Sequence, residues 1–186
     1  MLTIPNLLTF IRILLVPCFL VASQRGMYVT AFVLFLSAAL TDSLDGMVAR
    51  RWNMRSRLGA LLDPLADKLL MVCGFVYYTF GDVPFPIPGW MTFTVFARDF
   101  LIAFFAYLMY SRVQITRFPP TIYGKASTVL QTVTLIVTIA VNGFLPVLMP
   151  VATVLFTLTM LLTLFSGWHY AARAERIVEE LAPVRA

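Results

Sequence analysis

ASTVLQTVTLIVTIAVNGFLPVLMPVATVLFTLTMLLTLFSGWHYAA, residues 126–172, runs for 47 positions without an Asp, Glu, Lys or Arg. A helix that crosses a bilayer needs about 20 predominantly apolar residues, so this stretch is too long for one span. Asn142-Gly143, with Pro146 and Pro150, breaks it into two. Moving towards the N-terminus, residues 90–110 are apolar apart from Arg98-Asp99, and 81–89 is a turn-rich segment with Pro84, Pro86 and Pro88. A third span covers 58–80 and carries Asp63, Asp67 and Lys68. A second starts near Tyr28, stays apolar to Leu40, and carries Asp42 and Asp45 towards Arg50. The first covers about 5–22, opened by Pro5 and Asn6 and interrupted only by Arg12. The pattern predicts an all-α integral membrane protein, a bundle of six transmembrane helices.

Composition agrees with that class. Of 186 residues, 60% are hydrophobic and 12% charged, against about 45–50% and 25% in soluble domains. Intrinsic disorder needs the opposite balance. Six spans use nearly the whole length, so a single membrane domain over 1–186 is expected, with no internal repeat of 20–50 residues. The N-terminus has no basic region and no small-residue cleavage site after its apolar stretch, so a cleaved signal peptide is not expected. Cys18 and Cys73 both fall in apolar runs and read as unpaired packing residues.

The net charge is +5, but no basic-aromatic interleaving or nucleic-acid motif accompanies it, and no nucleic-acid partner is expected. Cations instead sort by loop. The loops after spans two and four, together with the tail, hold ten of the 14 Lys and Arg, among them Arg50, Arg51, Arg55, Arg57, Arg112, Arg117, Lys125 and Arg173. The loops after spans one, three and five hold only Arg25. The positive-inside rule then puts both termini in the cytoplasm, next to anionic lipid.

Four of the nine acidic residues lie in the two segments flanking one cytoplasmic loop. A charge within a membrane helix costs several kcal/mol, about 2.5–3.5 on the mildest scale, so Asp42, Asp45, Asp63 and Asp67 require compensation. Asp42 and Asp45 are spaced i,i+3 and share a helix face with Gly46 and Ala49; Gly59, Asp63 and Asp67 are spaced i,i+4,i+8. Two antiparallel helices can therefore bring four carboxylates to one pocket. Without cations they would repel and take up protons. Hard divalent ions such as Mg²⁺ or Mn²⁺ prefer carboxylate oxygens, and small residues at 46, 49 and 59 leave room for a ligand. Arg50 is placed to grip phosphate. Paired metals in such a cage suit in-line displacement at phosphorus. The competing structural reading pairs the carboxylates with Arg50, Arg51 and Lys68, which would not need this spacing. A transporter would spread its acids through the bundle or break a helix at midplane; here they cluster at one loop.

Asp42-Ser-Leu-Asp45-Gly46-Met-Val-Ala49-Arg50, followed after eight residues by Gly59, then Asp63 and Asp67, resembles the signature of the CDP-alcohol phosphatidyltransferases at all eight specified positions. The resemblance implies that Asp42, Asp45, Asp63 and Asp67 ligate two divalent cations, Mg²⁺ or Mn²⁺, and that Asp67 is the general base. It further implies that Asp45, Gly46, Ala49, Arg50 and Gly59 form the pocket for CDP-diacylglycerol. An acceptor alcohol would attack the lipid-bearing phosphate and expel CMP. Family members are typically homodimers with the site facing the cytoplasm. For this chain that implies a multi-pass protein of a bacterial inner membrane.

The acceptor has to be read elsewhere. Ile4-Pro5-Asn6-Leu7-Leu8-Thr9 with Arg12, Ala97-Arg98-Asp99 and Gly124-Lys125-Ala126-Ser127 resemble both phosphatidylglycerophosphate synthases and eukaryotic-type cardiolipin synthases. Glycerol 3-phosphate, the first expectation, needs cations, and Arg112, Arg117 and Lys125 are on the correct side. Asp99 in place of the usual Glu, and Ser127 in place of a second Lys, lean towards phosphatidylglycerol, the second expectation. Arg12 reads equally as a pocket residue or as a side chain that snorkels or pairs with a carboxylate. Arg98-Asp99 reads as a helix-helix pair or as a group orienting the acceptor. Lys68 balances local charge, and His169 reads as interfacial. Trp90, Trp168 and Tyr170 fit an aromatic belt, and 173–180 a solvated helix extension.

Overall fold

A computed structural model describes the backbone of residues 4–52, 57–113 and 121–181, and the side chains of 9–41, 65–66, 68–108 and 121–173. Among the described residues there are six α-helices and no strand. The helices are α1 (Ile4–Gln24), α2 (Tyr28–Trp52), α3 (Arg57–Phe80), α4 (Gly89–Val113), α5 (Ile122–Gly143) and α6 (Met149–Leu181), the last preceded by a 3₁₀ turn at Pro146–Leu148. Gly89–Leu108, Ile122–Gly143 and Pro146–Arg173 are long and apolar enough to cross a membrane, and Thr9–Gln24, Tyr28–Thr41 and Lys68–Phe80 are shorter apolar stretches. This is the architecture of a membrane protein.

The helix boundaries follow local chemistry. Gly26 ends α1 in the left-handed conformation, with φ of 69°. Its N–H donates to the Ser23 carbonyl at 3.0 Å, and the Met27 N–H to the Ala22 carbonyl at 2.9 Å, the two bonds of a Schellman cap. Pro150 was expected in the break between the last two spans, but it is the second residue of α6. Its missing N–H belongs there to the first turn, where no intrahelical partner exists. The tail expectation holds for the backbone, which stays helical to Leu181.

The chain divides into two compact units, Met1–Ile87 with Leu135–Ala152, and Pro88–Thr134 with Thr153–Ala186. In the first, α1 packs on α2 and α3. Its buried stripe is Thr9, Arg12, Val16, Phe19, Ala22 and Ser23, the 3–4 spacing of one helix face. Phe19 meets Phe35 at 5.5 Å and Tyr78 at 6.3 Å between ring centroids, and Ser23 shares a hydrogen bond with the Tyr78 hydroxyl. Gly74 lets α3 approach α5, since a Cβ there would lie 2.5 Å from Leu135 Cδ2. The connection after α3 is fastened by Asn142, whose side-chain oxygen accepts from the Phe85 N–H at 2.8 Å. Its amide donates to the carbonyls of Phe85 and Thr138, both at 2.9 Å.

In the second unit α5 and α6 meet along a polar seam. Ser127 and Thr163 share a hydrogen bond at 3.0 Å, Gln131 donates to both, and Thr134 and Thr159 meet at 2.7 Å. All five are buried. In lipid, helices gain nothing from mutual hydrophobicity, and small hydroxyl-bearing residues hold them by close packing and hydrogen bonds. The outer face of α4 carries Phe93, Phe100 and Tyr107, which are 75%, 72% and 66% exposed. A stripe like this would be a liability in water and is ordinary in a bilayer.

Candidate active site

Asp42, Asp45, Gly46, Ala49 and Arg50 all lie on the helical backbone of α2, and Gly59, Asp63 and Asp67 on that of α3; their side chains are outside the described residues. Asp42 stands ten residues before the end of α2 at Trp52, and Asp67 ten residues after the start of α3 at Arg57. Asp45 and Asp63 stand seven and six residues from the same ends. At about 1.5 Å per residue, Asp42 and Asp67 each stand about 15 Å along the helix from those ends, and Asp45 and Asp63 about 10 Å and 9 Å. Among the described residues no group of three or more His, Cys, Asp or Glu could hold a metal. The α2–α3 carboxylates lie outside that set, and carboxylate oxygen is the donor type that hard divalent ions prefer.

Arg12 is settled in one respect. It is 1% exposed and one of the largest fully buried side chains, so it does not snorkel to the surface. α1 and α2 are joined by three residues, and Arg12 lies twelve before the end of α1 while Asp42 lies fourteen after the start of α2. Along the backbone, Arg12 and Asp42 thus lie at similar distances from the α1–α2 connection.

Of the expected acceptor cations, Lys125 is exposed in the first turn of α5. Arg112 lies on α4 with its side chain outside the described residues, and Arg117 is outside them altogether. The first turn of α5 is capped by Thr121, whose hydroxyl accepts from the Gly124 N–H at 3.0 Å. The Arg98–Asp99 ion pair, 2.9 Å long, lies within α4. It is the Arg98 guanidinium that reaches other helices, donating from Nη2 to Ser166 Oγ at 3.0 Å and to the Gly124 carbonyl at 3.4 Å.

Ser127, where the resemblance marks a departure, is fully buried in the α5–α6 seam. Tyr170 is buried at 5% exposure and so is not a belt residue, whereas Trp90 and Trp168 are exposed. His169 is half-buried with its ring against Tyr123 and Phe165. Sequence reading missed the seam and the role of Asn142. The available signal was the 3–4 spacing of polar residues at 127, 131, 134 and 138 on α5 and at 159, 163 and 166 on α6.

The family model for CDP-alcohol phosphatidyltransferase matches residues 2–167. The chain belongs to that family. Its members generally use divalent metals, and they take a CDP-alcohol substrate and an alcohol acceptor. The chain is 30% identical over 197 residues to the human protein named "Cardiolipin synthase (CMP-forming)", covering 96% of this chain and 64% of that one. It is 32% identical over 179 residues to a Mycobacterium tuberculosis protein named "Probable phosphatidylglycerophosphate synthase", covering 92% and 81%. A Blochmanniella floridana protein named "CDP-diacylglycerol--glycerol-3-phosphate 3-phosphatidyltransferase" is 42% identical over 76 residues, 39% of this chain and 40% of that one. The chain thus spans less than two thirds of the length of its human relative.

Proposed function

We propose that this transferase moves the phosphatidyl group of CDP-diacylglycerol to glycerol 3-phosphate, giving phosphatidylglycerophosphate and CMP. A hydroxyl oxygen of the acceptor attacks the phosphorus bearing the diacylglycerol. The new P–O bond forms as the bond to the CMP phosphate breaks, and the hydroxyl proton passes to Asp67 as general base. Asp42, Asp45, Asp63 and Asp67 would hold two divalent cations, which when bound supply electrostatic stabilisation of the charge developing at phosphorus. Asp45, Gly46, Ala49, Arg50 and Gly59 bind the nucleotide head, and Arg112, Arg117 and Lys125 bind the acceptor phosphate. The observation that carries this reading is the match of the family model over 2–167, and the placement of the four Asp residues at matching sequence distances from the end of α2 and the start of α3 supports it.

In the same reading the chain is one catalytic membrane domain over 1–186, with six spans, both termini and the active site on the cytoplasmic side. It works as a homodimer in a bacterial inner membrane. The loop distribution of cations supports the orientation.

Cardiolipin synthesis, with phosphatidylglycerol as acceptor, is the second reading, favoured by one observation. Ser127 is buried and hydrogen-bonded to Thr163 and Gln131, so this position offers no cation to a second phosphate.

The test is CMP release by purified protein in detergent with CDP-diacylglycerol and Mn²⁺, adding acceptors singly. Release with glycerol 3-phosphate alone is expected, and release with phosphatidylglycerol alone would replace the first reading by the second. No release with either, together with CDP-diacylglycerol binding that is indifferent to chelator, would overturn both. Asp67→Asn should lose turnover and retain CDP-diacylglycerol binding; normal turnover would remove Asp67 as the base.

A further inference from the structure

Arg98 is costly where it stands. Its side chain keeps 10% of its exposure and that of Asp99 16%, inside a helix long and apolar enough to cross a membrane. Its Nη1 donates to Asp99, its Nη2 to Ser166 of α6 and the Gly124 carbonyl of α5, and its Nε is buried with no hydrogen-bond partner among the described residues. Two glycines shape the slot. A Cβ at Gly124 would lie 3.0 Å from Nη2 and one at Gly167 3.4 Å from Arg98 Cγ.

Holding helices together does not require this charge. The same α5–α6 pair is joined further along by the neutral Thr134–Thr159 bond. The start of α5 is already packed on α6 by Tyr123, whose ring meets Phe165 at 5.0 Å and His169 at 4.9 Å. What the guanidinium adds is a grip from α4 on the Gly124 carbonyl, which within α5 also accepts from the Thr128 hydroxyl at 3.1 Å. The residue after Gly124 is Lys125, whose exposed side chain leaves this turn, and whose own N–H is held by the Thr121 carbonyl at 3.1 Å.

We propose that Arg98 is a positioning residue for acceptor binding: by gripping the Gly124 carbonyl against Ser166, it fixes the turn that presents Lys125 to the phosphate of the acceptor. The inference rests on the reading above that Lys125 meets that phosphate. The ligand chemistry is an anionic phosphate, a monoester in glycerol 3-phosphate or a diester in phosphatidylglycerol.

The experiment compares wild type with Arg98→Lys, which keeps the charge and loses the fork, with Gly124→Ala, which crowds Nη2 from the other side, and with Thr134→Val as a seam control. KM is measured separately for each substrate, beside the melting temperature. Arg98→Lys and Gly124→Ala should each raise the acceptor KM by about tenfold, as expected for a misplaced binding group, with the CDP-diacylglycerol KM unchanged. Thr134→Val should melt lower with both KM values unchanged. Lower melting of the first two variants with both KM values unchanged, or an equal rise in both, would overturn the proposal. If wild type uses phosphatidylglycerol and not glycerol 3-phosphate, the acceptor assignment fails while the positioning role is read from the KM for phosphatidylglycerol. A readout free of turnover is acylation of Lys125 mapped by mass spectrometry. Inorganic phosphate should protect Lys125 in wild type and protect it several-fold less in Arg98→Lys; equal protection, or none in wild type, would overturn the inference.

Discussion

Asn142→Ala isolates one side chain that does the work of a short piece of secondary structure. Its amide pairs with both backbone groups of Phe85, at 2.8 and 2.9 Å, and also donates to the Thr138 carbonyl at 2.9 Å. Truncation removes all three bonds. At about 0.5–1.5 kcal/mol each, and with water reaching a part-buried site, the net cost is about 2–3 kcal/mol. The Phe85 amide should report it first. In wild type it exchanges only when Asn142 lets go, so losing about 2–3 kcal/mol speeds exchange by roughly 30–150-fold. The Ile87 amide, held by the Tyr78 carbonyl at 2.7 Å, should follow to a lesser degree. Hydrogen exchange read by mass spectrometry, with thermal melting in the same detergent, makes the measurement. Catalysis per folded molecule should be unchanged, because Asp67 stands thirteen residues before the end of α3, about 20 Å along the helix. An unchanged Phe85 exchange rate would refute the reasoning, and so would a loss of turnover greater than the loss of folded protein.

Four further outcomes are expected. Gly26→Ala should cost about 1–2 kcal/mol through backbone strain alone, because φ is 69° and nothing lies within 4 Å of the added Cβ; a thermal melt matching wild type would contradict the Schellman cap. Gly74→Ala should cost about 1–3 kcal/mol by overpacking, since its Cβ would meet Leu135 Cδ2 at 2.5 Å. Adding Leu135→Ala should recover part of that loss, and strict additivity of the two melting shifts would deny the contact. Chelation should abolish CMP release and Mg²⁺ or Mn²⁺ restore it, with Asp42→Ala and Asp63→Ala failing to respond; unaltered metal dependence in both variants would sink the carboxylate cage. Gly59→Leu should block the nucleotide pocket, so retained CDP affinity by calorimetry would contradict that placement.

Much of the fold was legible because apolar length is a coarse and robust signal. Residues 126–172 had to be two helices, and Asn142 and Pro146 marked the interruption. Pro150 is equally compatible with the break and with the start of α6, because proline disrupts a helix interior but fits its first turn. The eight-position motif was legible for a different reason. Charged residues are so unfavourable in lipid that four carboxylates at helical spacing leave few explanations. Arg12 was ambiguous because a long side chain in an apolar helix can snorkel to water or stay inside, and sequence does not say which; its position on the stripe of Val16 and Phe19 does. The α5–α6 seam left the weakest trace. Ser and Thr are nearly neutral on hydropathy scales, so 127, 134, 159 and 163 vanish into an apolar average while their spacing survives.

That contrast bears on which polar groups deserve a functional reading. In the second unit the seam is made by neutral hydroxyls and an amide, and a bond such as Thr134–Thr159 at 2.7 Å satisfies two polar groups without exposing a charge to lipid. Adhesion between helices can thus be met without ions. Arg98, set on Ser166 and Gly124, exceeds what adhesion needs. Arg12, fully buried on the α1 stripe and, along the backbone, about as far as Asp42 from the α1–α2 connection, does too, since Val16 and Phe19 on the same face pack without any charge. If charge were present only to join helices, replacing Arg12 by Met, which keeps most of the length and apolar stem but removes one side of its buried polar contacts, would lower the melting temperature and leave turnover per folded molecule intact. The expected result is the opposite combination: a melting temperature close to that of wild type or above it, with CMP release reduced by at least tenfold. A variant that melted well below wild type, yet kept its turnover per folded molecule, would return Arg12 to a purely structural role.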